Sequence, residues 1–182
     1  MNVIWLAKPV ESERVEVGTL NSPWGEVLTV WHDDALVRLV FVDDPESRDE
    51  ELDAVSRLWG EKPAMMEPTD ARLEELQALL AEWPEVTGKR IPTLEMIGSD
   101  FQQSVWRLLL RLQPGQTVTY GDIAARLGKS GAAQAVGRAV AYNPVSVLVP
   151  CHRVLPSGGG TGNYAGGAAR KKALLDAEGA LA

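Results

Sequence analysis

Cys151 and His152 are adjacent in the segment Pro-Cys-His-Arg-Val, and their side chains could perform nucleophilic chemistry. A thiolate is a strong nucleophile, and a neighbouring base is the usual means of forming one near neutral pH. Cys151 is the only cysteine of the chain, and a lone cysteine is more often a small buried hydrophobic residue. Because neighbouring side chains of a strand point to opposite faces, the two residues can cooperate only if the backbone bends after Pro150 or a water molecule joins them.

Glu178 is a candidate partner for the imidazole. A helix is predicted over residues 168–178, and it places Glu178 in its last turn, where the helix dipole disfavours a negative charge. A cationic or hydrogen-bonding partner such as His152 would offset that cost. The alternative is a glutamate that is merely solvated at the end of a surface helix.

A glycine-dense loop lies between the cysteine segment and this helix. Residues 156–167 have the sequence Pro-Ser-Gly-Gly-Gly-Thr-Gly-Asn-Tyr-Ala-Gly-Gly. No Gly-Lys-Ser/Thr follows and no nucleotide-binding fingerprint fits, which argues against a phosphate-binding loop. The loop is therefore interpreted as one wall of a pocket.

The elements upstream of the cysteine include a helix-turn-helix candidate. A capping box at Ser99 predicts a first helix, Thr119 caps a short second helix, and a third is predicted over residues 131–142, ending before Asn143-Pro144. Two short helices joined by a glycine-containing turn are typical of this motif. Residues 145–149, which follow, have the pattern of a buried strand.

The third helix consists mostly of alanine and glycine, with Gln134 and Arg138 as its long polar side chains. A helix that reads the major groove needs several long donors and acceptors. Small residues instead favour close approach in a narrow groove, or packing against a neighbouring helix. The composition alone leaves these two alternatives open.

The first half of the chain is predicted to form an antiparallel sheet with helices. Three runs of β-branched and apolar residues, separated by turn compositions, occur at residues 15–20, 26–31 and 36–42. Helices are predicted around Val55 and over residues 70–83. Residues 85–98, which include Gly88, are predicted to be an extended connector. Nothing in this half indicates a chemistry.

Charge is distributed unevenly between the halves. The chain has 182 residues and a net charge of −7, but residues 1–99 carry a net −12 and residues 100–182 a net +5. Only the second half is therefore expected to meet a polyanion. One cysteine excludes an internal disulfide, and two histidines do not make a tetrahedral metal site without carboxylates. With no membrane-spanning run and no secretory signal, we expect a cytoplasmic, metal-free protein.

Residues 99–179 resemble the O6-alkylguanine-DNA alkyltransferase family, also called methylated-DNA–protein-cysteine methyltransferases. The resemblance is most specific in Pro-Cys-His-Arg-Val at 150–154 together with Asn143-Pro144 upstream. It extends to Tyr-Gly-Asp-Ile-Ala at 120–124, Asn-Tyr-Ala-Gly-Gly at 163–167, Lys171, and Leu-Leu-Asp-Ala-Glu-Gly at 174–179. The first half resembles the family more loosely, in Thr-Leu-Asn-Ser-Pro-Trp-Gly at 19–25.

The resemblance implies an α+β fold and a DNA-repair activity. A ribonuclease-H-like domain with a small antiparallel sheet and helices would span residues 1–98. A winged helix-turn-helix-like, α-rich domain bearing the active site would span 99–182. The implied activity is stoichiometric transfer of the alkyl group from O6-alkylguanine to Cys151, with O4-methylthymine left open as a substrate. No cofactor, metal or membrane is implied. The partner would be double-stranded DNA containing O6-alkylguanine, bound by a monomer after the damaged base is flipped out.

Roles for individual residues also follow from the resemblance. Cys151 would accept the alkyl group, His152 would take the thiol proton through a water, and Glu178 would orient His152. Asn143 would tie down the bend before the cysteine. The substrate-binding residues would be Tyr120 as a donor to the guanine, Val154 through its backbone, and Tyr164, Ala165 and Gly166 as the pocket wall. The DNA-binding residues, on a helix in the minor groove, would be Ala133, Gln134, Gly137 and Arg138.

Two positions depart from the family's usual pattern. Gln134 stands where an arginine normally inserts into the base stack, and Ala165 stands where serine is frequent. Glutamine brings no charge and stacks less well than guanidinium. We therefore expect weaker DNA binding or slower repair, with the chemistry retained.

Three alternatives remain for the function. A non-repairing binder of alkylated DNA would lack the cysteine that is present here. A thiol hydrolase built on Cys151, His152 and Glu178 would turn over repeatedly. A helix-turn-helix transcription factor would need more base-reading side chains than the third helix offers.

Overall fold

A six-stranded sheet forms the centre of the first of two units into which the chain divides, Met1–Gly98 and Ser99–Ala182. The computed structural model describes residues 1–60, 64–86 and 91–181. The strands are β1 Val3–Leu6, β2 Arg14–Ser22, β3 Gly25–His32, β4 Ala35–Phe41, β5 Ala64–Met66 and β6 Thr93–Ile97. Their order is β1-β6-β4-β3-β2-β5.

The pairing of these strands is mixed. The predicted strands β2, β3 and β4 pair antiparallel through two short turns, as expected. The sheet is nevertheless larger than predicted and not purely antiparallel, because β6 pairs parallel with β1 and β4, and β5 pairs parallel with β2. The connector predicted over residues 85–98 is therefore wrong at Thr93–Ile97, which form a strand buried beside β4. Gly88 lies outside the described residues.

In the described part of the first unit, two helices accompany this sheet, both near their predicted positions. Helix α1, Pro45–Trp59, begins with an Asp44 capping box and ends at Gly60, whose φ of 73° suits glycine. Helix α2, Asp70–Ala81, is capped by Thr69 and buries Leu76, Leu79 and Leu80. The β-branched side chains of the sheet pack against α1 through a core of Val15, Val30, Val37 and Val55.

The second unit is mainly helical. Its elements are α3 Asp100–Leu109, β7 Val118–Thr119, α4 Tyr120–Arg126, α5 Ala133–Ala141, a 3₁₀ turn Cys151–Arg153, β8 Val154–Leu155 and α6 Ala168–Ala177. The capping box predicted at Ser99 is present, and Thr119, which was predicted to cap the second helix, also forms a capping box. Helices α3 and α4 both pack against α5. The indole of Trp106 on α3 donates a hydrogen bond to the carbonyl of Ala139 on α5, at 2.9 Å. The α+β fold class is confirmed.

The strand predicted over residues 145–149 is wrong. These residues are buried, but Val145 makes only an isolated bridge pair, 146–148 form a turn, and Val147 has a left-handed φ of 69°. The apolar, β-branched composition here reflects burial of a folded-back segment. Its backbone bonds run within the segment, from Val149 to Val145, and to the side chain of Asn143.

Among the described residues, none of the helices combines the length and the apolar character needed to cross a membrane.

Candidate active site

An open cavity of about 740 Å³ lies in the second unit, with the Cys151 side chain in its wall. It is bounded by α5, the loop before Cys151 and the glycine-dense loop. Eight of the residues singled out in the sequence line it: Tyr120, Gln134, Gly137, Arg138, Asn143, Cys151, Tyr164 and Ala165. The structure thus brings together one end of α4, the face of α5 and two loops around the only cysteine.

Five other predicted residues do not line this cavity. His152 and Glu178 are buried behind Cys151. Val154 begins β8 and is buried, and its carbonyl accepts a hydrogen bond from Lys171. Gly166 lies in the glycine-dense loop, where its carbonyl accepts from Arg170, and Ala133 is the half-buried first residue of α5.

The backbone bends at Cys151, so Cys151 and His152 do not lie on opposite faces of a regular strand. After Pro150 the chain makes one 3₁₀ turn, and the Cys151 N–H donates to the Val149 carbonyl at 2.8 Å. Successive side chains on such a turn diverge by about 120° rather than 180°. Cys151 is therefore directed to the cavity, where 5% of the residue is exposed, while His152 is fully buried.

Asn143 holds the segment that leads to the cysteine. Its amide nitrogen donates to the carbonyls of Val145, at 3.3 Å, and Val149, at 2.7 Å. Its amide oxygen accepts from the Val145 N–H at 3.0 Å. One buried side chain thus replaces the partners that a neighbouring strand would provide, and it fixes the loop on which Cys151 stands.

Behind the cysteine, His152 and Glu178 form a buried pair. The Nε2 atom of His152 lies 2.8 Å from Oε1 of Glu178, and both side chains are fully buried. The other ring nitrogen, Nδ1, has no hydrogen-bond partner in the described part of the chain. We assign the ring proton to Nε2, because a carboxylate can only accept, which leaves Nδ1 as a proton acceptor.

Arg153 completes this cluster, although no pattern in the sequence had indicated a role for it. Its Nε donates to Oε2 of Glu178 at 2.9 Å, and a terminal nitrogen donates to Oε1 at 2.8 Å. The other terminal nitrogen donates to the Leu112 carbonyl at 2.5 Å. Glu178 is the C-cap residue of α6, so two cationic or donor groups offset the unfavourable dipole noted in the sequence.

The pKa of Glu178 reflects these contacts. Burial alone would raise it, but the hydrogen bonds from His152 and Arg153 outweigh burial and lower the pKa to about 2. Burial lowers the pKa of His152, against the opposing effect of Glu178. Glu178 is therefore ionised and His152 neutral near pH 7, which is the state in which the imidazole can accept a proton.

The thiol of Cys151 starts in its protonated form. Burial raises its pKa above the ordinary value, while Asn143, Tyr164 and Lys171 act in the opposite direction. A thiol with a raised pKa needs a base to remove its proton near neutral pH. The buried imidazole of the next residue, His152, is the candidate for that base.

Two tyrosines in the cavity remain protonated donors. Burial, and secondarily the charge of Cys151, raises the pKa of Tyr120. Burial raises the pKa of Tyr164 further, to well above its ordinary value, with Cys151 adding to the effect and Ser146 opposing it. The Tyr164 hydroxyl is buried without a well-formed hydrogen bond to any described residue.

Lys171 is a buried cation that sequence reasoning left without a role. Its ammonium group is fully buried and donates to the carbonyls of Val154, at 2.6 Å, and Asn163, at 3.2 Å. It therefore joins β8 to the glycine-dense loop. The helical spacing of Lys171 with Leu174 and Leu175 places it on the buried face of α6, a signal that could have been recognised.

The mouth of the cavity carries the exposed side chains of α5. Gln134 and Arg138 are exposed and lie one turn apart. In the part of the chain that the structure describes, Arg138 makes no ion pair, and no group of three histidine, cysteine or carboxylate residues is arranged as a metal site.

Comparisons with known proteins point to one family. The model of the "6-O-methylguanine DNA methyltransferase, DNA binding domain" family matches residues 100–180. A methylated-DNA–protein-cysteine methyltransferase of Mycobacterium tuberculosis is 49% identical over 85 residues, which are 47% of this chain and 52% of that protein. The matched region thus spans about half the length of the first relatives. One from Mycolicibacterium paratuberculosis is 37% identical over 164 residues, 90% of this chain and 92% of the relative.

Solved structures give a similar result over nearly the whole chain. The crystal structure of Mycobacterium tuberculosis O6-methylguanine methyltransferase has a TM-score of 0.70 at 33% identity, covering 92% of this chain and 94% of that one. The structure of Mycobacterium tuberculosis OGT in complex with DNA has a TM-score of 0.68 at 31% identity, covering 91% and 92%.

Proposed function

The chain belongs to the methylated-DNA–protein-cysteine methyltransferase family, and from that premise we propose that it repairs DNA by moving an alkyl group from O6 of guanine to its own Cys151. The observation that carries the proposal is the position of the only cysteine, which lies in the wall of an open cavity and is next in sequence to a histidine that is buried in a pair with a glutamate. The unit Ser99–Ala182 would both bind DNA and accept the alkyl group.

The first step is removal of the thiol proton. Neutral His152 accepts it at Nδ1 through a bridging water, and Nε2 keeps its hydrogen bond to the Glu178 carboxylate. The imidazolium that forms is stabilised by the ionised carboxylate. Arg153 and the end of α6 hold Glu178 in place, so it acts as an orienting group and not as a proton acceptor.

The second step is displacement at carbon. The Cys151 sulfur forms a bond to the alkyl carbon as the bond from that carbon to O6 breaks, and the electron pair passes to the guanine. Tyr120, protonated in the cavity wall, donates a hydrogen bond to the purine as this charge develops. The proton taken from the thiol balances the reaction when it reaches the purine, giving guanine and an S-alkylcysteine.

The pocket wall completes the recognition of the base. Tyr164 and Ala165 line the cavity, and the adjoining Gly166 backbone belongs to the same loop. Val154, to which the resemblance gives a backbone contact with the exocyclic amine, is buried outside the cavity lining, and its carbonyl is bonded to Lys171. A cavity of about 740 Å³ has room for a purine that has left the duplex.

The DNA contact is made by α5. Gly137 and Ala133 keep the helix thin, which suits the narrow minor groove, while Arg138 carries a charge for a phosphate. Gln134 is placed to fill the space that the extruded base leaves. One helix and one cavity form a complete site, so a monomer on double-stranded DNA suffices.

The reaction is stoichiometric. A thioether has no ready leaving group, so the cysteine serves once and the protein is consumed. One S–C bond forms, one C–O6 bond breaks, and one proton passes from the thiol to the purine. The reaction therefore balances without an oxidant or a second substrate, and the proposed scheme needs no cofactor.

Mass spectrometry of the intact protein after incubation with duplex DNA containing O6-methylguanine tests this proposal. We expect a gain of one methyl group, located on the peptide that holds Cys151, and a burst of one equivalent with no further turnover. The matched control, Cys151→Ser, retains the cavity but gains no methyl group. Tight binding without transfer would favour a non-repairing binder, and continued turnover would favour a hydrolase.

A further inference from the structure

The exposed side of α5 ends in an aromatic residue that the mechanism above does not use. Tyr142 is the C-cap residue of this helix, and it is 69% exposed, the largest fraction among the large hydrophobic residues in the described part of the chain. A tyrosine ring contributes a large contact area when it is buried in an interface. Its exposure in the free protein leaves this area available to a partner.

Tyr142 lies in line with the two long side chains already assigned to DNA. Gln134, Arg138 and Tyr142 are spaced four residues apart, and positions with this spacing are neighbours on a helix surface. The only other exposed residue from Ala133 to Tyr142 is Ala141. Three long side chains thus form a single row on a helix that is otherwise small or buried.

The row ends at the rim of the cavity. Ala141 and Asn143, which precede and follow Tyr142, both line the cavity that contains Cys151. The Tyr142 N–H donates to the Arg138 carbonyl at 3.0 Å. In the next residue, the side-chain amide of Asn143 donates to the Val149 carbonyl and accepts from the Val145 N–H. The backbone that carries the ring is therefore fixed, about 12 Å along the helix axis from Gln134.

The chemistry at this end of the helix favours an apolar contact. The C-terminus of a helix carries a partial negative charge, which disfavours a phosphate group. Arg138, one turn earlier, supplies the positive charge for the DNA backbone. The groups of DNA that an uncharged ring can bury are the deoxyribose and the faces of bases whose stacking is broken.

We propose that the Tyr142 ring packs against the deoxyribose and base next to the extruded nucleotide, as the third DNA contact of the row formed with Gln134 and Arg138. This inference rests on the proposed function for its ligand, damaged duplex DNA. The aromatic ring of Tyr142 would contribute to the affinity for DNA, and its hydroxyl group would not be required.

Binding of a labelled duplex with one O6-methylguanine tests the proposal. The full chain carries Cys151→Ser, so that no transfer consumes the complex, and Kd is measured by fluorescence anisotropy at several salt concentrations. We expect Tyr142→Ala to raise Kd about tenfold and Tyr142→Phe to stay within about twofold. The slope of log Kd against log salt stays unchanged in Tyr142→Ala, because no charge is lost, whereas Arg138→Ala reduces it by about 0.9.

The controls separate this proposal from a structural effect and from the proposed function. Thermal unfolding at the wild-type temperature shows that Tyr142→Ala is folded, and Lys172→Ala, on the exposed side of α6, keeps the wild-type Kd and, with Cys151 restored, the wild-type transfer rate. Wild-type affinity in Tyr142→Ala overturns the inference, and so does an equal loss in Tyr142→Phe or a wild type that binds no duplex. If the wild type binds DNA but transfers no methyl group, the proposed function fails and the Kd comparison still decides the role of Tyr142.

Discussion

Each of the two histidines is paired with a buried glutamate, one pair in each unit. In the first unit Nδ1 of His32 lies 3.0 Å from Oε2 of Glu95, and in the second Nε2 of His152 lies 2.8 Å from Oε1 of Glu178. Both glutamate side chains are almost wholly buried, at 5% and 0% exposure. The same two residue types therefore occur in nearly the same contact.

The surroundings of the two pairs differ. The rings of His32 and Trp59 form a T-shaped contact with centroids 6.3 Å apart, and the remaining Glu95 oxygen has no hydrogen-bond partner among the described residues. Both Glu178 oxygens instead bind Arg153, and the residue that precedes His152 is Cys151, the proposed nucleophile. The pair alone therefore does not mark a catalytic site. The base that we propose at His152 is distinguished by its neighbours: a thiol in a cavity wall and an arginine that binds both oxygens of the carboxylate.

The largest effect should separate the two histidines. We expect His152→Gln to lower the single-turnover rate of methyl transfer about a thousandfold, because the thiol loses its general base. His32→Gln should leave the rate unchanged. Transfer of a radiolabelled methyl group from duplex DNA measures both rates, and thermal unfolding shows whether each variant is folded. Equal losses in two folded variants would remove the distinction between the pairs.

The glutamates extend the same comparison to acid stability. Glu178 has a folded pKa of about 2 against an ordinary 4.5, so it stabilises the fold above pH 4.5, and that contribution is lost as the pH falls toward 2. The loss is on the order of 2 kcal/mol once solvent screening is allowed for. The lowered pKa of His152 has the same sign and acts below its ordinary value of 6.5.

Urea unfolding as a function of pH measures this contribution. In Glu178→Gln the change between pH 4.5 and 2 should be smaller than in the wild type, and the transfer rate at pH 7 should fall about a hundredfold because His152 loses its orienting partner. Glu95→Gln, the matched substitution in the other pair, should transfer at the wild-type rate. A wild-type rate in folded Glu178→Gln would contradict the role given to this carboxylate.

Much of the second unit could be predicted because its signals are local. The capping boxes at Ser99 and Thr119 act within one helical turn, and Asn143-Pro144 ends a helix for steric reasons that involve only neighbouring residues. The pairing of Glu178 with His152 was also foreseen, from the cost of a carboxylate at a helix C-terminus. Their direct contact follows from the fold and not from any spacing in the sequence.

What could not be predicted depends on distant contacts. Strand β6 owes its conformation to parallel pairing with β1 and β4, which are far away in the chain. The apolar residues at 145–149 led to the wrong prediction of a strand, because they are apolar on account of their burial and not because the backbone is extended. The Asn143 side chain provides hydrogen-bond partners for the backbone of this segment. The role of Arg153 in binding Glu178 was not predicted, because its spacing from Glu178 in the sequence gives no sign of a contact between them.

A smaller effect on the transfer rate should come from Tyr164, a hydrogen-bond donor in the cavity wall. Tyr164 lowers the pKa of Cys151 against the effect of burial, so Tyr164→Phe should raise that pKa further. Fewer molecules then carry a thiolate at neutral pH. We expect the transfer rate at pH 7 to fall about tenfold, and the rise of rate with pH to move to higher pH. Tyr142→Phe, the same substitution at an exposed tyrosine, should leave the pH profile unchanged, and a shift in both variants would refute the assignment.

The smallest expected effect is a gain. Gln134 lies on the exposed face of α5 at the mouth of the cavity, where an arginine would add a charge and a planar group that stacks on the unpaired base. Gln134→Arg should therefore raise the single-turnover rate at subsaturating DNA a few-fold. The gain is limited because the new arginine lies one turn from Arg138, and like charges at this spacing cost about 0.2–0.5 kcal/mol.

The matched control places the same charge elsewhere. Gln77→Arg adds it at an exposed position of α2 in the acidic first unit, and it should leave the transfer rate unchanged. An equal gain in both variants would show that net charge, not the position on α5, limits DNA binding, and no gain at Gln134 would mean that glutamine already fills the space of the extruded base.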